Sequence, residues 1–190
     1  MTKALSLKEK FVKEIAPALQ KQLGIKNINA VPKLSKIIIN VGIGKLMAGG
    51  KDYSDIEKNI TMIAGQKPVV AKAKKAISNF KLRQGMPVGI HVTLRGAKMY
   101  DFASKFVNIV LPRARDFRGI SPKSFDGHGN YSYAIKEHTV FPEINPDDII
   151  KHHGMQLTFV TTATKNEDGY KLLKALGFPF QEKKEKIVKQ

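Results

Sequence analysis

Along residues 34–41, Ile37, Ile39 and Val41 alternate with Lys36, Ile38 and Asn40. A period of two puts the two sets on opposite faces of a strand. The alternation returns over residues 88–95, where Ile90, Val92 and Leu94 interleave with His91, Thr93 and Arg95. Residues 155–163 repeat it, with Leu157, Phe159 and Thr161 against Thr158, Val160 and Thr162. Shorter runs at 67–72 and 131–136 predict two further strands. Elsewhere the apolar spacing is helical. Ser6 and Glu9 form a capping box that opens a helix towards Leu23, with Phe11, Ile15 and Leu19 on one face. Pro17 is expected to kink or split this helix, and Gly24 to close it. Ile56, Ile60 and Ile63 stripe a helix from about Asp52 to Ala64. Met99, Phe102, Phe106 and Val110 stripe another from Ala97 to Leu111, with Pro112 as the expected stop. A short last helix holds Leu172, Leu173 and Leu176 and ends at Gly177 and Pro179.

This inventory is four helices and about five strands. The strands have one strongly apolar face and one bearing Lys36, Asn40, His91, Thr93, Arg95, Gln156 and Thr158. Helices cover the apolar face well and the other poorly, so a mixed or antiparallel α+β fold with an open polar sheet face is expected. The chain has 190 residues, and at about 150 residues per domain this predicts one domain. That domain spans 1–180, with a long basic hairpin loop at 71–87 and a binding loop at 112–130. The basic tail QEKKEKIVKQ that follows is expected to be mobile.

Charge gives the architecture a direction. Lys and Arg number 33 against 16 Asp and Glu, a formal net charge of +17 with a pI near 10.0. A folded domain above about pI 9 carries the electrostatic footprint of a nucleic-acid binder. The 71–87 loop holds Lys72, Lys74, Lys75, Lys81 and Arg83, no acid, and Phe80 among the charges. Such a segment neutralises phosphates and offers a ring for a base to stack on. The stretch LPRARDFRGISPKSFDGHGNYSYAIKEHTVFPEI (111–144) has almost no apolar periodicity from Pro112 to Asn130. Phe117, Phe125 and Tyr131 argue against plain disorder there. Arg113, Arg115 and Arg118 supply planar donors suited to phosphate, so the stretch reads as a binding loop for a large polyanion.

Other chemistry is missing from the pattern. There is no cysteine, hence no disulfide and no thiolate zinc site. Gly42-Ile43-Gly44-Lys45 lacks the Walker spacing, and Met47 stands where a dinucleotide fingerprint needs glycine. Its glycines are expected to shape a turn. His152 and His153 are adjacent rather than spaced as ligands, and no H-E-x-x-H occurs. Asp116, Asp126 and Glu137 are scattered, the first two suited to pinning arginines and turns. Ser124 and Ser132 lack a nucleophile elbow. No catalytic group, cofactor or metal is therefore expected. A nuclease would need clustered carboxylates. A membrane-surface protein would need a basic amphipathic helix, which residues 5–23 alone approach. The charged N-terminus lacks a signal-like apolar run, and no run of about 18 apolar residues occurs, so a cytoplasmic protein with no membrane partner is expected.

Three blocks, PKLSKIIINVGIG (32–44), GQKPVVAKAKKAISNFKLRQGMPVGIHVTLRG (65–96) and LPRARDFRGISPKSFDGHGNYS (111–132), carry a resemblance. From Ser6 to Phe180 the chain resembles the family of bacterial large-subunit ribosomal protein five, the 5S rRNA-binding proteins of the central protuberance. The resemblance implies a curved, mainly antiparallel sheet with helices on one face, in a structural ribosomal protein rather than an enzyme. It implies 5S rRNA recognition at Asn40, Gln66 and Thr93, with Lys33, Lys36 and Arg95 nearby. Amides and hydroxyls read riboses and base edges, which lysines do not. It further implies that Lys72, Lys74, Lys75, Phe80, Lys81 and Arg83 approach the P-site tRNA. The loop with Arg113, Arg115 and Arg118 is implied to meet RNA or to join an intersubunit bridge to small-subunit head protein thirteen. Other large-subunit proteins and rRNA are the remaining implied partners.

Overall fold

The computed structural model describes residues 6–48, 52–115, 117–145 and 152–181. Asp116 and the expected mobile tail beyond Gln181 lie outside them. Five strands form one sheet: β1 (Leu34–Gly42), β2 (Val69–Lys72), β3 (Pro87–Leu94), β4 (Tyr131–Ile135) and β5 (Met155–Thr161). Their order is β2-β3-β1-β5-β4, with every neighbouring pair antiparallel. The α+β fold is thus as the alternation requires. Ile37, Ile39, Val41, Ile90, Val92, Leu94, Leu157 and Phe159 are all buried, while the residues between them are not.

Four helices supply the other half of the core. The first, α1, runs through Leu7–Lys10, a π-helical stretch Phe11–Ile15 and Ala16–Leu23. Helix α2 is Ser54–Ala64. Helix α3 runs through Gly96–Lys105, a second π-helical stretch Phe106–Val110 and Leu111–Arg113, and α4 is Asn166–Ala175. Their buried residues join the inward strand residues in one cluster. A single helical turn, Gly44–Ala48, follows β1 where a glycine-shaped turn was expected.

Neither proline ends its helix. Pro17 does not split α1, and Pro112 does not stop α3. Each follows a π-helical stretch by two residues, in the matching sequences FVKEIAP and FVNIVLP. Proline has no N–H and its ring crowds the carbonyl four residues back. The wider turn, in which Ala16 N–H reaches Phe11 O and Leu111 N–H reaches Phe106 O, absorbs that conflict. Helix α3 ends at Arg113 instead, where Ala114 turns extended. Helix α4 is also longer than its leucines suggest, because its first turn carries no apolar stripe.

The 112–130 loop is fastened rather than free. Ile120 is 1% exposed and pairs in parallel with Phe180. Ile120 N–H donates to Pro179 O at 2.8 Å, and Gln181 N–H returns to Ile120 O at 3.0 Å. Phe125 and Tyr131 pack on Phe180. The buried Tyr131 hydroxyl donates to Ser121 O at 2.9 Å, and burial pushes its phenol up to about 12. Asp126 accepts from the backbone of His128 and Asn130 and from the Asn130 amide. Slight desolvation would raise the carboxyl of this exposed residue, but those hydrogen bonds hold it below the usual range. At its far end, Thr161 Oγ1 donates to Gly129 O at 2.9 Å and accepts Ala163 N–H, which ends β5 two residues early.

Candidate nucleic-acid interface

The register sets the outward residues in rows across the sheet. One row runs Val69, His91, Asn40, Gln156, Ala134, in spatial order from β2 to β4. At a strand spacing of about 4.8 Å this row spans about 19 Å. The next row holds Thr93, Ile38, Thr158 and Ser132, and beyond it Lys36 lies opposite Val160. Asn40, Gln156, Ala134 and Val69 are exposed and the others half-buried. Ser132 and Thr158 share a hydroxyl–hydroxyl hydrogen bond at 3.2 Å. The face is bare, and it mixes amides, hydroxyls and an imidazole with a few small apolar side chains.

The residues singled out in the sequence group by end. Asn40 lies opposite His91, and Thr93 opposite Ile38, so Asn40 and Thr93 are diagonal neighbours on adjacent strands. Lys36 lies near the start of the same strand as Asn40, and Lys33 stands just before that strand, its backbone tied to Thr162. Arg95 follows β3 directly and is exposed. Gln66, also exposed, lies three residues before Val69, and the antiparallel pairing of β2 with β3 carries it towards the Thr93 end. The structure therefore gathers Lys33, Lys36, Gln66, Thr93 and Arg95 at one end of the face, with Asn40 near its middle. His91, Gln156 and Thr158 share the face. Ser132 was missed, although the alternation of Tyr131, Tyr133 and Ile135 with Ser132 and Ala134 held the signal.

The basic hairpin leaves from the opposite end, beyond the pairing of Lys72 with Pro87. Its ladder continues through Ala73 N–H to Met86 O at 2.8 Å and closes in an Ile77–Leu82 bridge. A 3₁₀ turn at Ser78–Phe80 and left-handed Lys81, with φ of 53°, form the tip. Lys72, Lys74, Lys75, Lys81 and Arg83 are all exposed, and Phe80 is 67% exposed. An aromatic this exposed is not held by the core.

Arg113, Arg115 and Arg118 are exposed, and Arg115 lines a cavity beside Tyr133–Ile135 of β4 at the other edge. The aromatics interleaved with them, Phe117 and Phe125, pack against the core instead. The histidines that looked unrelated in sequence meet in space. Buried His138 stacks on His153 with ring centroids 3.9 Å apart, and His152 lies 6.2 Å away. Burial holds the His138 imidazole below its ordinary value, with His153 N–H hydrogen-bonded to it and His152 nearby. Among the described residues no group of three or more acidic, His or Cys side chains is placed to hold a metal ion. Nor is any described helix long and apolar enough to cross a membrane.

These features define a class: a strongly basic α+β protein with one bare sheet face flanked by cations. The comparisons then narrow the class. The family model described as Ribosomal protein L5 matches residues 27–83, and the one described as the ribosomal L5P family C-terminus matches residues 87–180. Large ribosomal subunit protein uL5 of Thermosipho africanus is 54% identical over 178 residues, covering 93% of this chain and 98% of its own. The uL5 protein of Thermotoga maritima is 53% identical, covering 92% and 95% respectively. That of Symbiobacterium thermophilum is 52% identical, covering 94% and 99%. The chain belongs to the uL5 family of large ribosomal subunit proteins, structural components of the ribosome rather than enzymes.

Proposed function

We propose that this protein binds 5S rRNA on its open sheet face and helps attach it to the central protuberance of the large subunit. Lys33, Lys36 and Arg95 take phosphates, while Asn40, Gln66 and Thr93 read riboses and base edges. The observation that carries this reading is the diagonal pair Asn40 and Thr93 on a face no helix covers. The exposed Lys72–Arg83 hairpin, projecting from the far end, suits a phosphate-led contact with P-site tRNA that tolerates any sequence. The exposed arginines at 113, 115 and 118 suit a contact with RNA or an intersubunit bridge to small-subunit head protein thirteen.

Filter binding of 5S rRNA to the Asn40→Ala and Thr93→Ala variants tests the proposal. Each removes a polar group for which no intramolecular side-chain hydrogen bond is seen among the described residues. Stability should therefore stay within about 0.5 kcal/mol. Affinity should fall by about 1–3 kcal/mol, roughly 5- to 150-fold, for a lost base or ribose hydrogen bond. Unchanged affinity in both variants would remove the face from the interface.

A further inference from the structure

Strand β4 forms one edge of the sheet, and the start of that edge is covered. Ser132 N–H donates to Ser124 O at 3.1 Å, and Phe125 bridges to Tyr131. In an antiparallel strand, backbone groups two residues apart point the same way. Ala134 therefore turns its N–H and C=O outward as Ser132 does, yet neither meets a partner among the described residues. Ala134 itself is exposed. An unpaired edge of this kind is a template for another strand.

Cavities flank the same stretch on both sides. The outer one, about 640 Å³, is lined by Asn40, Ser124, Asp126, Ser132 and Gln156. The one on the helix side, about 460 Å³, is lined by Val110, Leu111, Ala114 and Val140, with Arg115, Lys136 and Glu137 among its polar residues. Tyr133, Ala134 and Ile135 border both. When an extended peptide adds to a sheet edge, its backbone bonds give affinity and pockets for alternate side chains give specificity. Side chains of such a strand point alternately to the two faces, which is where the two cavities lie.

We propose that the Tyr133–Ile135 edge of β4 receives an extended segment of a second protein as a sixth strand. An apolar side chain of that segment enters the helix-side cavity, and a neighbouring carboxylate reaches Arg115 and Lys136. Charge complementarity selects an acidic segment: two cations face one carboxylate at that cavity, on a chain of net charge +17. The apolar walls and the free amide of Ala134 favour a polypeptide over a nucleic acid. The inference rests on the chain being one component of a multi-protein particle; it assigns Arg115 to this segment, leaves Arg113 and Arg118 for the bridge, and shares only the Asn40–Gln156 rim with the RNA face.

The test uses full-length chain assembled into large subunits with the photoreactive Ala134→p-benzoylphenylalanine substitution. After irradiation, the crosslinked peptide is sequenced, synthesised and titrated into the isolated full-length protein by fluorescence anisotropy. The crosslink should map to one protein segment that contains Asp or Glu and no proline. Ala134→Pro removes the outward N–H while leaving the β5 ladder intact, because Ala134 and Gln156 form a non-hydrogen-bonded pair. It should weaken the synthetic peptide at least tenfold, and so should Arg115→Glu, which leaves the strand backbone untouched. Crosslinks to rRNA alone, no protein crosslink, or peptide binding indifferent to both substitutions would overturn the proposal. Failure of the unmodified chain to bind 5S rRNA would instead overturn the proposed function, whatever the edge experiment gives.

Discussion

Gly169→Ala tests how the arginine-bearing loop is held in place. On helix propensity alone the change should stabilise α4 by up to about 1 kcal/mol. The packing reverses that sign. A Cβ at residue 169 would lie 2.5 Å from Gly129 O, 3.0 Å from its Cα and 3.1 Å from its carbonyl carbon. All three are backbone atoms, so no side chain can swing aside. The loop would have to retreat by about 1 Å to restore ordinary contact, more than a hydrogen bond near 3 Å tolerates. The bonds at risk are those of Gly127 N–H and Gly129 N–H to Asn166 Oδ1, at 3.0 and 3.1 Å, and of Thr161 Oγ1 to Gly129 O at 2.9 Å. At about 1 kcal/mol per bond, with about 1–3 kcal/mol for overpacking, the loss outweighs the propensity gain. We expect a net destabilisation of about 3–5 kcal/mol, or about 6–20 °C in melting temperature for a chain of this size. Calorimetry measures the shift, and hydrogen exchange at Gly127 and Gly129 should locate it. A variant as stable as the parent, with those amides still protected, would refute the reasoning.

Lys105 ties three elements together: its ammonium donates to Ile63 O at the end of α2 and to Glu143 at 2.6 Å, and lies over the rings of Phe102 and Phe141. Lys105→Met should cost about 1–3 kcal/mol in urea unfolding, because it strands a helix-end carbonyl and a half-buried carboxylate. His138 is held neutral by burial, so the unfolded chain takes up its proton first as pH falls. Its share of the stability is complete above the ordinary value of 6.5 and drains away as pH drops through the depressed folded value. His138→Gln should flatten the pH dependence of unfolding below 6.5 and leave the neutral-pH slope alone; an unchanged acid limb would count against it. Lys36→Ala should reduce the salt dependence of 5S rRNA binding by nearly one unit of log–log slope, whereas Lys74→Ala should leave isolated 5S binding nearly intact.

The sheet was legible because its face pattern is a local property. Each strand with three or more alternating residues shows its faces and nearly its limits, so alternation alone puts Asn40 and Thr93 on the polar faces of their strands. What the sequence hid was set by distant partners. Pro112 marks a helix end by local rules, and only the π-helical turn before it lets α3 continue. Gly169 weakens the helical signal at the start of α4, and its reason is a contact with Gly129, forty residues earlier. The 112–130 stretch has no period because Ile120, Phe125 and Tyr131 anchor singly, each to the Pro179–Gln181 end of the described chain or to its neighbours. Spatial neighbours such as His138 and His153 are joined by the β4–β5 pairing, which no spacing rule encodes.

That anchoring also explains why one sheet face stays bare. A loop nearly twenty residues long could fold across the polar side and shield it. Instead, the apolar residues of the loop are drawn to the same side as the helices: Ile120 pairs with Phe180, Phe125 stacks beside it, and Asn166 of α4 holds the backbone at Gly127 and Gly129. The loop reaches the outer face at its rim, where Ser124, Phe125 and Asp126 border the cavity that Asn40 and Gln156 share. Repulsion among the many cations would not by itself keep the face open, since screening confines it to about 8 Å at physiological salt. The face is bare because burial on the other side gains more than covering a row of amides and hydroxyls, which water already satisfies. A ligand that replaced that water group for group would meet side chains whose positions the strands have already fixed.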